Sequence, residues 1–166
     1  LNVILKKPEN ELQLAAMVEW AANRLPDANF HNCWAFAFWN RQTRKIQGVC
    51  LFHNYREIDV EIVFCGEGDW ARRDLVNQCF EYAFNQLKCH RVTALVRKDN
   101  GRSKKLVTQL GFKREGKLRR AAKDGSDVLV YGLLPHEYRF WRNKDVFQAP
   151  RPHVRGYAQG GVHHLH

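Results

Sequence analysis

Asn100-Gly101-Arg102-Ser103, Leu110-Gly111-Phe112 and Glu115-Gly116-Lys117-Leu118-Arg119 form the stretch whose reading decides the fold. Asn100 is a helix-starting residue, because its side-chain oxygen can accept from a backbone N–H of the first turn. Gly111, directly after Leu110, is a natural stop, since a left-handed residue past a helix end costs glycine nothing. A helix is therefore expected from Asn100 to Gly111. Beyond it, Phe112 to Ala122 and Asp127 to Leu134 read as strands, and Asp124-Gly125 between them is a strong hairpin signal.

Working outward, Arg91 to Val96 is a short β-branched strand. Trp70 to Leu87 carries a helical stripe of Val76, Cys79, Phe80, Ala83, Phe84 and Leu87. Glu57 to Cys65 alternates, with Ile58, Val60, Ile62 and Phe64 on one face and Glu57, Asp59, Glu61 and Val63 on the other, the polar one. Trp34 to Trp39 and Ile46 to His53 flank the polar turn Asn40 to Lys45, so three strands form an antiparallel meander. Glu11 to Arg24 is an amphipathic helix, ended by Leu25-Pro26-Asp27 because proline disfavours helical geometry just before it. The order β-β-β-loop-α-β-α-β-β behind an N-terminal helix is α+β with a mixed central sheet flanked by helices. One domain is expected over 1–140, with its core at 34–134. Residues 141–166 read as a basic tail rich in Pro, Gly and His.

The quoted strings resemble the "N-x-x-S … LGF … EG-x-LR" stretch of RimJ/RimL-type GNAT (acyl-CoA N-acyltransferase) proteins. Glu81-Tyr82-Ala83-Phe84 with Arg91-Val92 is similar to that group's "YAF … RV" helix and strand. Asp127, Tyr131 to Leu134 and Glu137-Tyr138 resemble its closing hairpin. Together the likeness covers roughly residues 57–138. Glu61-Ile62-Val63-Phe64-Cys65 resembles, locally, the fourth strand of the histone-acetyltransferase branch, whose glutamate is the general base.

The resemblance implies transfer of an acetyl group from acetyl-CoA to a primary amine, by direct attack in a ternary complex. It needs a cradle for the pyrophosphate, a polarised thioester, a base and an acid. The resemblance places the cofactor along Val63, Phe64, Cys65, Gly66 and Gly68, with Arg72 and Arg73 as phosphate clamps or plain surface arginines. Of the loop pattern Q/R-x-x-G-x-G/A only Gly68 is kept. Cys65 and Trp70 stand at its ends, and the large Trp70 side chain is expected to crowd the backbone. Asp69 is a candidate N-cap that would fill the anion site with the protein's own carboxylate. Glu61 is the candidate base, with Glu57 and Asp59 as alternatives, or simply a solvated strand residue. Val107 stands where many relatives carry a catalytic tyrosine, which leaves Ser103 to protonate the thiolate. Asn100 and Ser103 are expected to contact the cofactor, to cap the helix, or both.

The chain has 166 residues with 27 Lys and Arg against 17 Asp and Glu, a formal net charge of +10. Such a surface attracts anions, so nucleotide cofactor, nucleic acid and acidic assemblies are all candidate partners, against a merely solubilising role. Trp141-Arg142, Lys144 and Arg151 to Arg155 mix aromatic and basic residues, as nucleic-acid-binding arms can. His163, His164 and His166 lack a scaffold for metal, and no metal site is expected. Five cysteines without a CxxC pair read as buried reduced thiols of a cytoplasmic protein. No apolar run suits a membrane span, and Leu1 to Lys7 lacks the layout of a secretory signal. The chain begins with Leu1 rather than Met, consistent with loss of a few upstream residues. The altered loop also fits a second reading, a GNAT-fold binding or structural protein that has lost the chemistry, similar to accessory or virion proteins of tailed bacteriophages.

Overall fold

A computed structural model describes residues 2–27 and 29–140 of the chain. The tail residues singled out above, from Trp141 to His166, lie outside the described residues. Strands β1 (Val3–Lys6), β2 (Trp34–Asn40), β3 (Lys45–His53), β4 (Asp59–Gly66), β5 (Arg91–Arg97), β6 (Lys113–Leu118) and β7 (Val128–Leu133) form one sheet. Its order is β1-β2-β3-β4-β5-β7-β6. Helices α1 (Glu11–Ala22), α2 (Arg73–Glu81) and α3 (Gly101–Leu110) complete the α+β architecture expected from the sequence. β4 and β5 are parallel, and every other neighbouring pair is antiparallel.

Two apolar layers hold the sheet. On one face Phe36, Phe38, Phe52 and Ile62 meet Phe80 and Phe84 of the α2 region in a single cluster. On the other, α1 lays Met17 and Ala21 against Ala35, Ala37, Val49 and Leu51. Alanines at alternate positions of β2 leave room for the helix to approach the strand. α1 is started by Asn10, whose side chain accepts from the Gln13 N–H at 2.9 Å.

The structure corrects several sequence expectations. β1 was not foreseen, as four residues ahead of Pro8 carry little periodic signal. α2 begins at Arg73 rather than Trp70, and Asp69 is not its cap. Arg72 occupies that position without a side-chain capping hydrogen bond. Arg72 is extended at ψ 133°, so the helix starts after it, and Trp70 lies in the preceding loop with its indole 5% exposed. The following helix widens into a π turn at Tyr82–Gln86, where the Leu87 N–H reaches the Tyr82 carbonyl at 2.9 Å. β6 stops at Leu118, short of Ala122, because Arg120 takes a left-handed φ of 54°. The polar face of β4 is not solvated: Asp59 and Glu61 are buried, whereas Ile58 is exposed. All five cysteines are free thiols, four of them buried. No helix among the described residues is long and apolar enough to cross a membrane.

Candidate active site

The parallel β4–β5 ladder is short. It pairs Asp59 with Arg91, Val60 with Val92 and Glu61 with Thr93, and there it ends. Past that point β4 continues only against β3, up to Gly66 opposite Gly48, and β5 only against β7. Right-handed twist spreads the two strands apart into a fork. The facing backbone edges of Ile62 to Phe64 and Ala94 to Val96 therefore border a cleft of about 740 Å³. An extended ligand carrying amides can lie there as a strand would.

Glu61 sits at the crotch of the fork. Its neighbour across the antiparallel ladder is His53, whose Nε2 stands 3.4 Å from Glu61 Oε2. Sequence reading missed His53. Pairing the ends of Ile46 to His53 and Glu57 to Cys65 about their turn would set it opposite Glu57, and only the observed register sets it beside Glu61. Asp59 is committed elsewhere: it accepts from the Thr93 hydroxyl at 2.9 Å and from Arg56 at 2.6 Å, with Arg91 at 3.7 Å. Glu57 is exposed in the turn with φ 62°. Neither alternative base lines the cleft.

Val63 and Phe64 line one wall of the cleft, and Asn100 and Ser103 the other. Asn100 caps α3, its Oδ1 accepting from the Ser103 N–H at 3.0 Å. Val107 lies in the same wall, and no tyrosine among the described residues does. Cys65, Gly66 and Gly68 lead out of the cleft into the loop before α2. Cys65 is buried, and that burial raises its thiol pKa. Arg72 pairs with Asp74 at 2.8 Å and donates to the Val3 carbonyl at 3.3 Å. Arg73 lies over the Phe140 ring at 4.3 Å. Both expected phosphate clamps thus hold protein groups. Glu67 is paired with Arg24 at 2.6 Å, and Arg24 itself covers the Trp20 ring. At the cleft mouth Arg97 gathers Asp27, Asp99 and Asp124, tying the loop after α1 to β5 and the β6–β7 turn.

A strand fork flanked by a helix N-terminus is the arrangement that the resemblance to the acetyltransferase (GNAT) domain family implies. That family's model matches residues 4–113 of this chain. The chain belongs to the GNAT acetyltransferase family. An uncharacterized N-acetyltransferase, p20, of Bacillus licheniformis is 30% identical over 107 residues, which is 59% of this chain and 60% of that protein. The chain thus spans about three-fifths of that relative's length. Among solved structures, the ribosomal-protein-S5-alanine acetyltransferase from Vibrio fischeri superposes with TM-score 0.65 at 15% identity, covering 84% of this chain and 96% of that one. A spermidine N-acetyltransferase mutant from Vibrio cholerae gives TM-score 0.64 at 18% identity, covering 80% and 94%. At those identities the two share the fold.

Proposed function

We propose that this protein is an acetyl-CoA-dependent N-acetyltransferase, transferring an acetyl group to a primary amine by direct attack in a ternary complex. The acceptor is a protein N-terminus, a lysine or a small amine. The observation that carries the reading is the fork that opens at Glu61. In this reading the pantetheine arm lies between β4 and β5, hydrogen-bonded to the backbone at Val63 and Phe64, with Asn100 and Ser103 on its far side. Cys65, Gly66 and Gly68 lead the donor's pyrophosphate toward the first turn of α2. Arg72 is the N-cap there and supplies no side-chain cap, so N–H groups are left for an anion. Arg72 and Arg73 join the phosphates only by leaving Asp74 and Phe140. Glu61 drives removal of the ammonium proton, and Ser103 delivers a proton to the departing thiolate. The free thiols fit a reducing, cytoplasmic setting.

The test is thiol release from acetyl-CoA in the presence of spermidine and of a peptide with a free N-terminal alanine. Turnover with either acceptor is expected, and Glu61→Gln lowers kcat at least tenfold without weakening acetyl-CoA binding. Full activity in that variant removes Glu61 from the mechanism.

A second reading is favoured by one observation: Trp70, Arg72, Arg73 and Glu67, the residues of the phosphate loop, are all engaged with protein groups. A binding or structural protein, attached through its +10 charge to nucleic acid or a large assembly such as a bacteriophage particle, would have no use for acetyl-CoA. Salt-dependent nucleic-acid binding together with no acetyl-CoA binding is its signature.

A further inference from the structure

Glu61 has a partner in the cleft. The His53 imidazole lies beside it, and the two side chains are 13% and 12% exposed. Both nevertheless line the cleft. Phe30 packs edge-on against the imidazole with 5.3 Å between ring centroids, so the ring is held from two sides. A carboxylate beside Nε2 favours the tautomer with its proton on that nitrogen, which leaves a lone pair on Nδ1. Burial pushes the His53 pKa below its ordinary 6.5, and the Glu61 carboxylate pulls against that shift. The ring is therefore neutral at pH 7 and able to accept a proton.

The other charged groups lining the cleft among the described residues, Arg24, Asp27, Arg97 and Asp99, are engaged in ion pairs. Arg24, at the end of α1, holds Glu67 at 2.6 Å. Arg97, at the end of β5, holds Asp27 from the loop after α1 at 3.2 Å and Asp99 at 3.1 Å. Among the described residues, Glu61 is the one charge acting directly on His53.

Resting on the acetyltransferase reading above, we propose that His53 is the group that takes the proton from the acceptor ammonium, with Glu61 as its positioning residue. The ammonium gives one proton to Nδ1, and Glu61 compensates the imidazolium that forms. The freed nitrogen lone pair attacks the thioester carbonyl carbon, forming the C–N bond. As the tetrahedral intermediate collapses the C–S bond breaks, and its electron pair leaves on sulfur. The nitrogen's second proton is lost, and one proton reaches the thiolate through the Ser103 hydroxyl. The proton on His53 goes to solvent. The products are amide, free thiol and one proton. The 3.4 Å separation is longer than an ordinary hydrogen bond, as such pairs often are before the substrate closes the site.

The experiment compares wild type, His53→Ala, His53→Gln and Glu61→Gln with acetyl-CoA and spermidine or the alanyl peptide, scoring folding by thermal melts. His53→Ala and His53→Gln are each expected to lose at least a hundredfold in kcat while binding acetyl-CoA normally. Added imidazole should restore turnover to His53→Ala and leave Glu61→Gln unchanged. The acid limb of the wild-type kcat profile is expected below pH 6.5. It should move lower still in Glu61→Gln, because the charge that raises the imidazole pKa is gone. If both folded His53 variants keep turnover within threefold of an active wild type, His53 is not the base and the proposal fails alone. A wild type that binds acetyl-CoA but acetylates neither probe, or does not bind it at all, overturns the acetyltransferase reading and this proposal with it.

Discussion

Trp70 lies against Gly66: the indole occupies the space that a Cβ on Gly66 would fill, and a Cβ on Gly48 would meet it at 3.0 Å. The ring is also stacked on Phe64 and meets Phe38 edge-on at 5.0 Å. Gly66 therefore serves the core of this protein, whatever it contributes to a ligand. The loop's departure from the family pattern is a packing solution in which an aromatic ring closes the end of the β3–β4 hairpin.

That relationship sets a stability test. Trp70→Ala should cost about 3–5 kcal/mol by cavity formation. Gly66→Ala should cost about 1–3 kcal/mol by overpacking. In the double variant the second cost should largely disappear, because the alanine methyl then enters the emptied space. Urea unfolding of the four proteins measures the cycle. Strict additivity would mean that the two residues do not share that space.

Asp59 is expected to act on stability rather than chemistry. It is buried and binds Thr93, Arg56 and Arg91, so Asp59→Ala strands polar partners and should cost about 2–4 kcal/mol. Thr93→Val removes one hydrogen bond to a charged group and should cost about 1.5–3 kcal/mol. Denaturant midpoints check both values, with kcat of the folded Thr93→Val protein expected near that of wild type.

Asn100 separates capping from ligand contact. Asn100→Ala loses the cap on α3 and should destabilise by about 1 kcal/mol. Asn100→Asp keeps the cap but places a charge in the cleft. If Asn100 also contacts the donor, the aspartate variant should keep its Tm and bind acetyl-CoA at least tenfold more weakly. Equal affinity would leave Asn100 with capping alone.

Asp124 gives an acid-stability prediction. Hydrogen bonds from the Ser126 hydroxyl and backbone N–H, with Arg97 behind them, lower its pKa to about 2. The unfolded chain binds this proton more readily, so the contribution is full above the ordinary carboxylate value of 3.8 and is lost as pH falls toward 2. Carboxyl NMR of Ser126→Ala should show the Asp124 titration moving upward, toward that ordinary value.

The parts of the fold legible in the sequence are those with local causes. Asn100 caps its helix and Gly111 ends it with φ 106°, as its neighbours already demand. The Asp124-Gly125 turn and the alternation of β4 are likewise written in a few adjacent residues. The site was legible only in part. Glu61, Val63, Phe64, Asn100 and Ser103 do converge on one cleft, because family strings sit on the elements that border it. Val3 and Phe140, which also engage Arg72 and Arg73, are far away in sequence, so those contacts left no local mark. His53 went unseen for a related reason. A cross-strand pair is visible only once the register is fixed.

The central claim is that the fork between β4 and β5 receives an acyl-CoA. A calorimetric titration of the full chain with acetyl-CoA tests it most directly, with thermal melts alongside. One molecule bound per chain is expected, and acetyl-CoA at a hundred times its Kd should stabilise the fold by about 2.7 kcal/mol. No heat of binding and no change in Tm at millimolar acetyl-CoA would contradict the account.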